Sequence, residues 1–274
     1  MLHPLSFLVK LPVLLLIYLS ANVALAQVYN SSISSATGGT GRATVEAGDA
    51  SFLNPAALVH LRGRYFFSSV AKDEYAVTLS DNTLESAFPA AFGFVQRQSK
   101  LNQTDLDHKD MSFSVADFIM DRWTVGITGH YVEQRLGEES YHKVNGDIGL
   151  VYTPRSFIGV GLVVYNVMDD KSDIPEELKA KRSAGAGFTY IYRKFARMRL
   201  DATTESEFMA GVETYLNPFI VTRIGYSDDT DDERQLFTGG LGFKGPRFAL
   251  NYAYEGNPQN SEDYRHSVDF SVPF

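Results

Sequence analysis

The 274-residue chain contains no cysteine, which rules out a disulfide frame and a thiolate metal site. Beyond the first 26 residues, no apolar run approaches the about 18 residues that a membrane-spanning helix needs. Basic residues are in deficit, with 25 Lys and Arg against 33 Asp and Glu and a formal charge of −8. Phosphate backbones are held by clustered Lys and Arg, so this balance excludes nucleic acid as a partner. Aromatic and small residues are plentiful instead: 19 Phe, 15 Tyr and 22 Gly. That profile fits a β-rich chain whose strands show apolar residues on one side only.

Residues 1–26 read as an export signal. His3 and Lys10 lie near the start, the apolar run "LPVLLLIYL" follows, and "ANVALA" places small residues three and one before Gln27. Such a segment is removed after export and is not a transmembrane span. A membrane location for the remaining chain therefore has to be reached with strands.

From Gly63 to Phe274 the sequence alternates with period two, and about fourteen candidate strands emerge. Each is near the 9 to 11 residues that a tilted strand needs to cross a bilayer. In "DYRHSVDFSVPF", Tyr264, His266, Val268, Phe270, Val272 and Phe274 share one face, opposite Asp263, Arg265, Ser267, Asp269 and Ser271. The same sorting sets Phe248, Leu250, Tyr252 and Tyr254 against Asn251 and Glu255. It also sets Trp123, Val125, Ile127 and Tyr131 against Thr124, Thr128 and His130. "EYAVTLSD" and "DMSFSVADFI" alternate less clearly, which leaves twelve strands as the alternative count.

A soluble sandwich alternates as well, so further features decide. Aromatic residues open and close the apolar faces, as the interface girdles of a membrane barrel require. Connections alternate in length: "TPRS", "LNPF" and "KGPR" are tight, whereas "MDDKSDIPEELKAK", "SDDTDDER" and "EGNPQNSED" are long and polar. Counted back from the chain end, the tight turns share the side of the termini, matching the short periplasmic turns and long external loops of outer-membrane barrels. An open sheet edge in lipid would leave N–H and C=O groups unpaired at several kcal/mol each, so the sheet must close. The expected fold is thus an all-β antiparallel barrel with apolar residues toward lipid and polar ones toward the lumen. The end of the chain, Phe270, Val272 and Phe274, resembles the terminal aromatic signal by which outer-membrane proteins are handed to their assembly machinery.

Two stretches carry a family resemblance. "GGTGRATVEAGDASFLNPAAL", Gly38 to Leu58, resembles the amino-terminal segment of the FadL family of outer-membrane transporters in its Gly-Arg-Ala step, its acidic residue before small residues and its Asn-Pro-Ala. "DIGLVYTPRSFIGVGLVVYNV", Asp147 to Val167, resembles a strand pair of the related PorV-type barrels that ends on an Asn, here Asn166. "DIPEELKAKRSAGAGFTY" extends that likeness. The resemblance implies a fourteen-stranded barrel with an amino-terminal hatch folded inside, here residues 27–62, and strands over residues 63–274. It implies one of two functions: passage of a small hydrophobic molecule gated by the hatch, or a PorV-like role in protein secretion or surface attachment. The chain lacks the long external insertions that build the hydrophobic groove of the fatty-acid transporters. Implied partners are outer-membrane lipid, lipopolysaccharide and the assembly machinery, with no cofactor.

Within the hatch, Gly38, Gly39 and Gly41 are not followed by the Lys-Ser or Lys-Thr of a phosphate loop, so they read as turn glycines in a crowded lumen. "ASFLNPAAL", Ala50 to Leu58, fits neither helix nor strand. Its Pro55 removes a ladder donor and biases Asn54 away from helix, which keeps the segment out of the wall. Asn54, Pro55 and Ala56 are therefore the candidate gating residues, while Phe52, Leu53 and Leu58 supply apolar contacts. Arg97, His130, Arg199, Asp201, Glu213, Arg223, Lys244 and Glu255 point to the lumen, where their mixed signs fit either a selective path or a charge-paired filling. His130 has no identifiable serine partner, so no catalytic set emerges. The acidic "DDTDDE", Asp228 to Glu233, lacks the glycine and ligand spacing of a calcium loop and reads as a solvated external loop without a metal.

Overall fold

The computed structural model describes residues 29–170, 173–193 and 195–274, so the expected export signal lies outside the described residues. Fourteen strands form one closed antiparallel barrel, each pairing with its sequence neighbours and the first with the last. They are β1 (Gly63–Ala71), β2 (Glu74–Asn82), β3 (Ala90–Leu101), β4 (Thr104–Met120), β5 (Trp123–Leu136), β6 (Glu139–Arg155) and β7 (Ile158–Tyr165). Then come β8 (Ser183–Tyr192), β9 (Ala196–Thr203), β10 (Glu207–Tyr215), β11 (Ile220–Asp229), β12 (Arg234–Lys244), β13 (Ala249–Asn257) and β14 (Asn260–Pro273). The two weakly alternating stretches are strands β2 and β4. Closure runs from Tyr65 opposite Pro273 to Ala71 opposite Ser267.

The predicted faces hold. Val268 and Phe270 are exposed while Ser267 and Asp269, which alternate with them, are buried, and Met198 and Leu200 face out where Arg199 and Asp201 face in. Tyr264 and His266 lie on the outer face, where the His266 ring packs among Tyr252, Tyr254 and Tyr264. An outside this apolar on a closed sheet is stable against lipid and not against water.

Two expectations, one on strand length and one on connections, need correction. β4 and β6 are each 17 residues long, well past bilayer length, because every backbone group beyond the lipid still finds a partner on the neighbouring strand. For the same reason half of "SDDTDDER" and most of "EGNPQNSED" are strand: β11 pairs with β12 up to Asp229 and Arg234, and β13 with β14 up to Asn257 and Asn260. Arg234 and Asp263 lock these extensions at 2.8 Å. Of the three stretches expected to be long loops, the one between β7 and β8 alone stays so over its described residues, 166–170 and 173–182, with Ile174 and Leu178 buried against Leu101 and Leu106.

Residues 29–62 precede β1 and lie within the barrel. Helical turns at Ser32–Ser35, Ala50–Leu53 and Pro55–His60 punctuate an otherwise irregular course. "ASFLNPAAL" is thus two helical turns broken at Asn54, whose extended backbone (φ −164°, ψ 105°) is the conformation that a following proline imposes.

Candidate functional site

The inner segment and the wall that receives it form the candidate site. Ser31 begins it as the cap of the first helical turn, its hydroxyl accepting from the N–H groups of Ile33 and Ser34. The Ser31 N–H and hydroxyl donate to Asp49 at 2.9 and 2.7 Å, which ties the two ends of the segment together. Ser32 donates to the wall residue Asp269 through its N–H at 2.6 Å and its hydroxyl at 2.7 Å. Gly38 and Gly39 follow with φ of +75° and +86°, a left-handed pair that reverses the chain after the turn. The Gly38 N–H donates to Thr238 at 3.0 Å.

The Gly41-Arg42 step is held by one carboxylate. Asp201 on β9 accepts from both backbone N–H groups at 2.9 Å and from the Arg42 guanidinium at 3.3 Å. Arg42 also lies 5.8 Å over the ring of Tyr165. Asn54 reaches back to this step: its amide donates to the Arg42 carbonyl at 2.8 Å and to the wall carbonyls of Leu150 and Leu162 at 3.3 Å. Its side-chain oxygen accepts from the Ala56 N–H at 3.1 Å, a capping bond for the turn that Pro55 opens. Phe52 packs with Tyr29, Phe67, Ala76 and Val95, and Leu58 with Ala57, Ala91 and Ala116.

The reading by motif missed the surface on which the segment lies. Inward positions of successive strands carry glycine, and at most of them an added Cβ would strike the segment's backbone or side chains. Gly126 faces Pro55 and Ala56, Gly149 faces Asn54, Gly159 and Gly161 face Arg42 and Ala43, Gly211 and Gly225 face Thr37 and Gly38, and Gly240 faces Ala36. A Cβ on Gly159 would come within 2.8 Å of the Ala43 carbonyl oxygen. These residues form a groove in the inner wall, shaped by missing side chains. The sequence signal was present in "IGVGL" and "AGAGF", where glycine occupies every second position of a strand.

The predicted lumen residues are brought together in pairs and clusters. Glu213 gathers Arg223 at 2.6 Å and Arg199 at 3.5 Å, and accepts from the Tyr215 hydroxyl at 2.6 Å. Glu46 of the inner segment joins them through Arg197 at 2.6 Å and Arg199 at 3.0 Å. Arg199 is completely buried. Glu74 pairs with both Arg97 and Arg265, and Arg265 also reaches Glu255 at 3.1 Å. His130 lies between Asp110 and Asp147, 3.0 Å from each. Both of its ring nitrogens face carboxylates, and neither serves a serine hydroxyl. Lys244 departs from the expectation: it shares the inward parity but is exposed at the end of β12, past the last turn of packed lumen. In the acidic connection, Asp229 accepts from the N–H groups of Asp231 and Asp232 at 3.1 Å, so this carboxylate closes a turn.

The wall is continuous around this site. Register shifts occur at Phe118/Met120, Tyr152/Arg155 and Gly256/Asn257, all at strand ends. A cleft of 830 Å³ opens at the rim where β1 starts, lined among others by His60, Arg62, Leu84, Phe118 and Phe274. Burial, with Arg62 next, holds the His60 pKa below its ordinary value.

No family model and no curated protein sequence matches the chain. Solved structures do. The toluene transporter TbuX of Ralstonia pickettii aligns with a TM-score of 0.72 at 13% identity, over 92% of this chain and 100% of that one. The CymD monoaromatic hydrocarbon channel aligns at 0.68 and 13%, over 91% and 98%. A Pseudomonas aeruginosa FadL homologue aligns at 0.68 and 10%, over 89% and 98%. Sequence identity this low speaks for the shared architecture alone, and in that architecture the chain is a FadL-like β-barrel.

Proposed function

We propose that the barrel passes a small hydrophobic molecule across the bacterial outer membrane and that residues 27–62 act as its hatch. The observation that carries this reading is the mode of attachment. Among the described residues no strand pairs with the inner segment; hydrogen bonds and glycine contacts hold it instead, so it can move without opening the wall. In this reading the seated segment closes the lumen, and passage requires that movement. Two of the similar structures are a toluene transporter and a monoaromatic hydrocarbon channel, which supports the same class here.

A second reading, a PorV-like role in secretion or surface attachment, draws on the unbroken wall and the filled lumen. Uptake of a small hydrophobic dye into liposomes separates the two. Deleting residues 31–58 is expected to raise uptake sharply while the barrel stays folded. Uptake equal to that of empty liposomes, before and after the deletion, would eliminate transport and leave the second reading.

A further inference from the structure

The two rims of the barrel differ in charge. On the rim where β1 starts and β14 ends, Arg62, Arg122, Arg155, Arg193, Lys244 and Arg247 are all exposed. The ion pairs among the described residues involve none of the six; Arg64 on the same rim is already matched by Asp81 at 2.9 Å and Glu85 at 3.5 Å. Asp117 and Asp121, with Glu85 beside Arg64, are the exposed acids of this rim. The short connections of the opposite rim carry Asp73, Glu138, Glu205, Asp231, Asp232 and Glu233, with Lys72 as their one basic residue.

Position matters as much as sign. The six basic residues lie before β1 and at the β4–β5, β6–β7, β8–β9 and β12–β13 connections, so they encircle the rim. Two of them sit on aromatic rings, Arg155 5.7 Å over Phe157 and Arg193 5.4 Å over Tyr192. Phe195, Phe219 and Phe248 are exposed at the same level. An aromatic belt marks the boundary of the hydrocarbon layer, so the guanidinium groups stand at the height of lipid headgroups, outnumbering the acids of their rim and held in no ion pair among the described residues.

We propose that this rim binds anionic glycerophospholipid, the arginines holding headgroup phosphates and the aromatic belt holding the acyl chains below. A ring of charge favours a lipid leaflet, which meets the barrel on all sides, over a protein, which would dock on one. Guanidinium and phosphate make charge-assisted, often bidentate hydrogen bonds. The acidic opposite rim repels the same headgroups, so binding of this kind also gives the barrel a preferred direction in an asymmetric membrane.

The test is electron paramagnetic resonance of the full barrel in phosphatidylcholine bilayers, with trace spin-labelled phosphatidylglycerol or phosphatidylcholine. The barrel is expected to immobilise phosphatidylglycerol about fivefold more strongly, the effect of roughly one basic residue at an anionic surface, and high salt should reduce the preference. The triple variant R155Q/R193Q/R247Q should bring the two lipids close to parity, while D231N/D232N on the opposite rim should keep the preference or raise it. Equal association in the parent protein, a preference that survives the triple variant, or an equal loss in D231N/D232N would overturn the proposal. Heat-modifiable gel migration reports folding. If the triple variant does not fold, the single variants Arg155→Gln and Arg193→Gln must each lower the preference, and no change in either refutes it equally.

Discussion

Replacing Gly126 by alanine aims a methyl group at the backbone of Pro55 and Ala56, and one side has to yield. Gly126 sits mid-strand, paired with Ala116 of β4 and Gly149 of β6, so the wall is pinned on both flanks. The inner segment is held there more lightly, by the Thr124 hydroxyl donating to the Ala56 carbonyl at 3.0 Å and by the Asn54 contacts. The segment should therefore give way. Overpacking of this kind costs about 1–3 kcal/mol, and the gain from removing a strand glycine does not offset it, because the strand is formed whether the segment is seated or displaced. A cost of about 1–3 kcal/mol raises the displaced population roughly five- to 160-fold. Gly129 supplies the control: it lies on the same strand, faces outward, and an added Cβ there meets nothing within 4 Å. Trypsin cleavage at Arg42, only 4% exposed in the seated segment, is the assay, run beside liposome uptake. Gly126→Ala is expected to be cut and to leak faster than Gly129→Ala, with both barrels equally heat-modifiable. Equal protection of the two variants would refute the groove as the seat of the segment.

Other outcomes follow from the same geometry. Asn54→Ala removes donors to three carbonyls and should loosen the segment by about 1–3 kcal/mol, seen as faster hydrogen exchange over residues 54–58. Glu213→Gln strips the buried Arg199 and Arg223 of their shared carboxylate. It should destabilise the barrel by about 3–5 kcal/mol, measured as a lower midpoint in urea. Leu178→Ala, in the cluster with Leu101, Leu106 and Ile174, should cost about 2–5 kcal/mol locally and expose residues 166–182 to protease while the barrel's gel mobility is unchanged. Ile127→Arg places a charge on the lipid face of β5, where Ile127 is 53% exposed. Refolding into bilayers should be penalised by about 2–4 kcal/mol, and Thr128→Arg on the inner face should instead disturb the segment through the Ser51 carbonyl it now contacts.

Much of the wall was legible because its rule is local. Lipid on one side and polar filling on the other force alternation, so Val268, Phe270, Arg199 and Asp201 declare their faces in sequence. The strand ends were less legible: Asp229 and Arg234 look like loop residues, and only pairing with a neighbour makes them strand. In the candidate site, Asn54 and Pro55 were recognisable from their local chemistry, but their partners were not. Leu150 and Leu162 donate nothing to a motif; their carbonyls matter because the barrel brings them within reach of one amide, 96 and 108 residues away in the chain.

By itself, then, the sequence determined a closed all-β wall, the sidedness of each strand and a proline-broken segment unable to join that wall. Those follow from nearest-neighbour rules: a period of two, turn chemistry and a missing backbone donor. Tertiary structure alone decided where the segment rests and what holds it. Glycines spread over strands from Gly126 to Gly240 become one groove only after closure, and Glu46 meets Arg197 and Arg199 across about 150 residues. A side chain that is absent leaves no local mark; its meaning appears only when another part of the chain occupies the space.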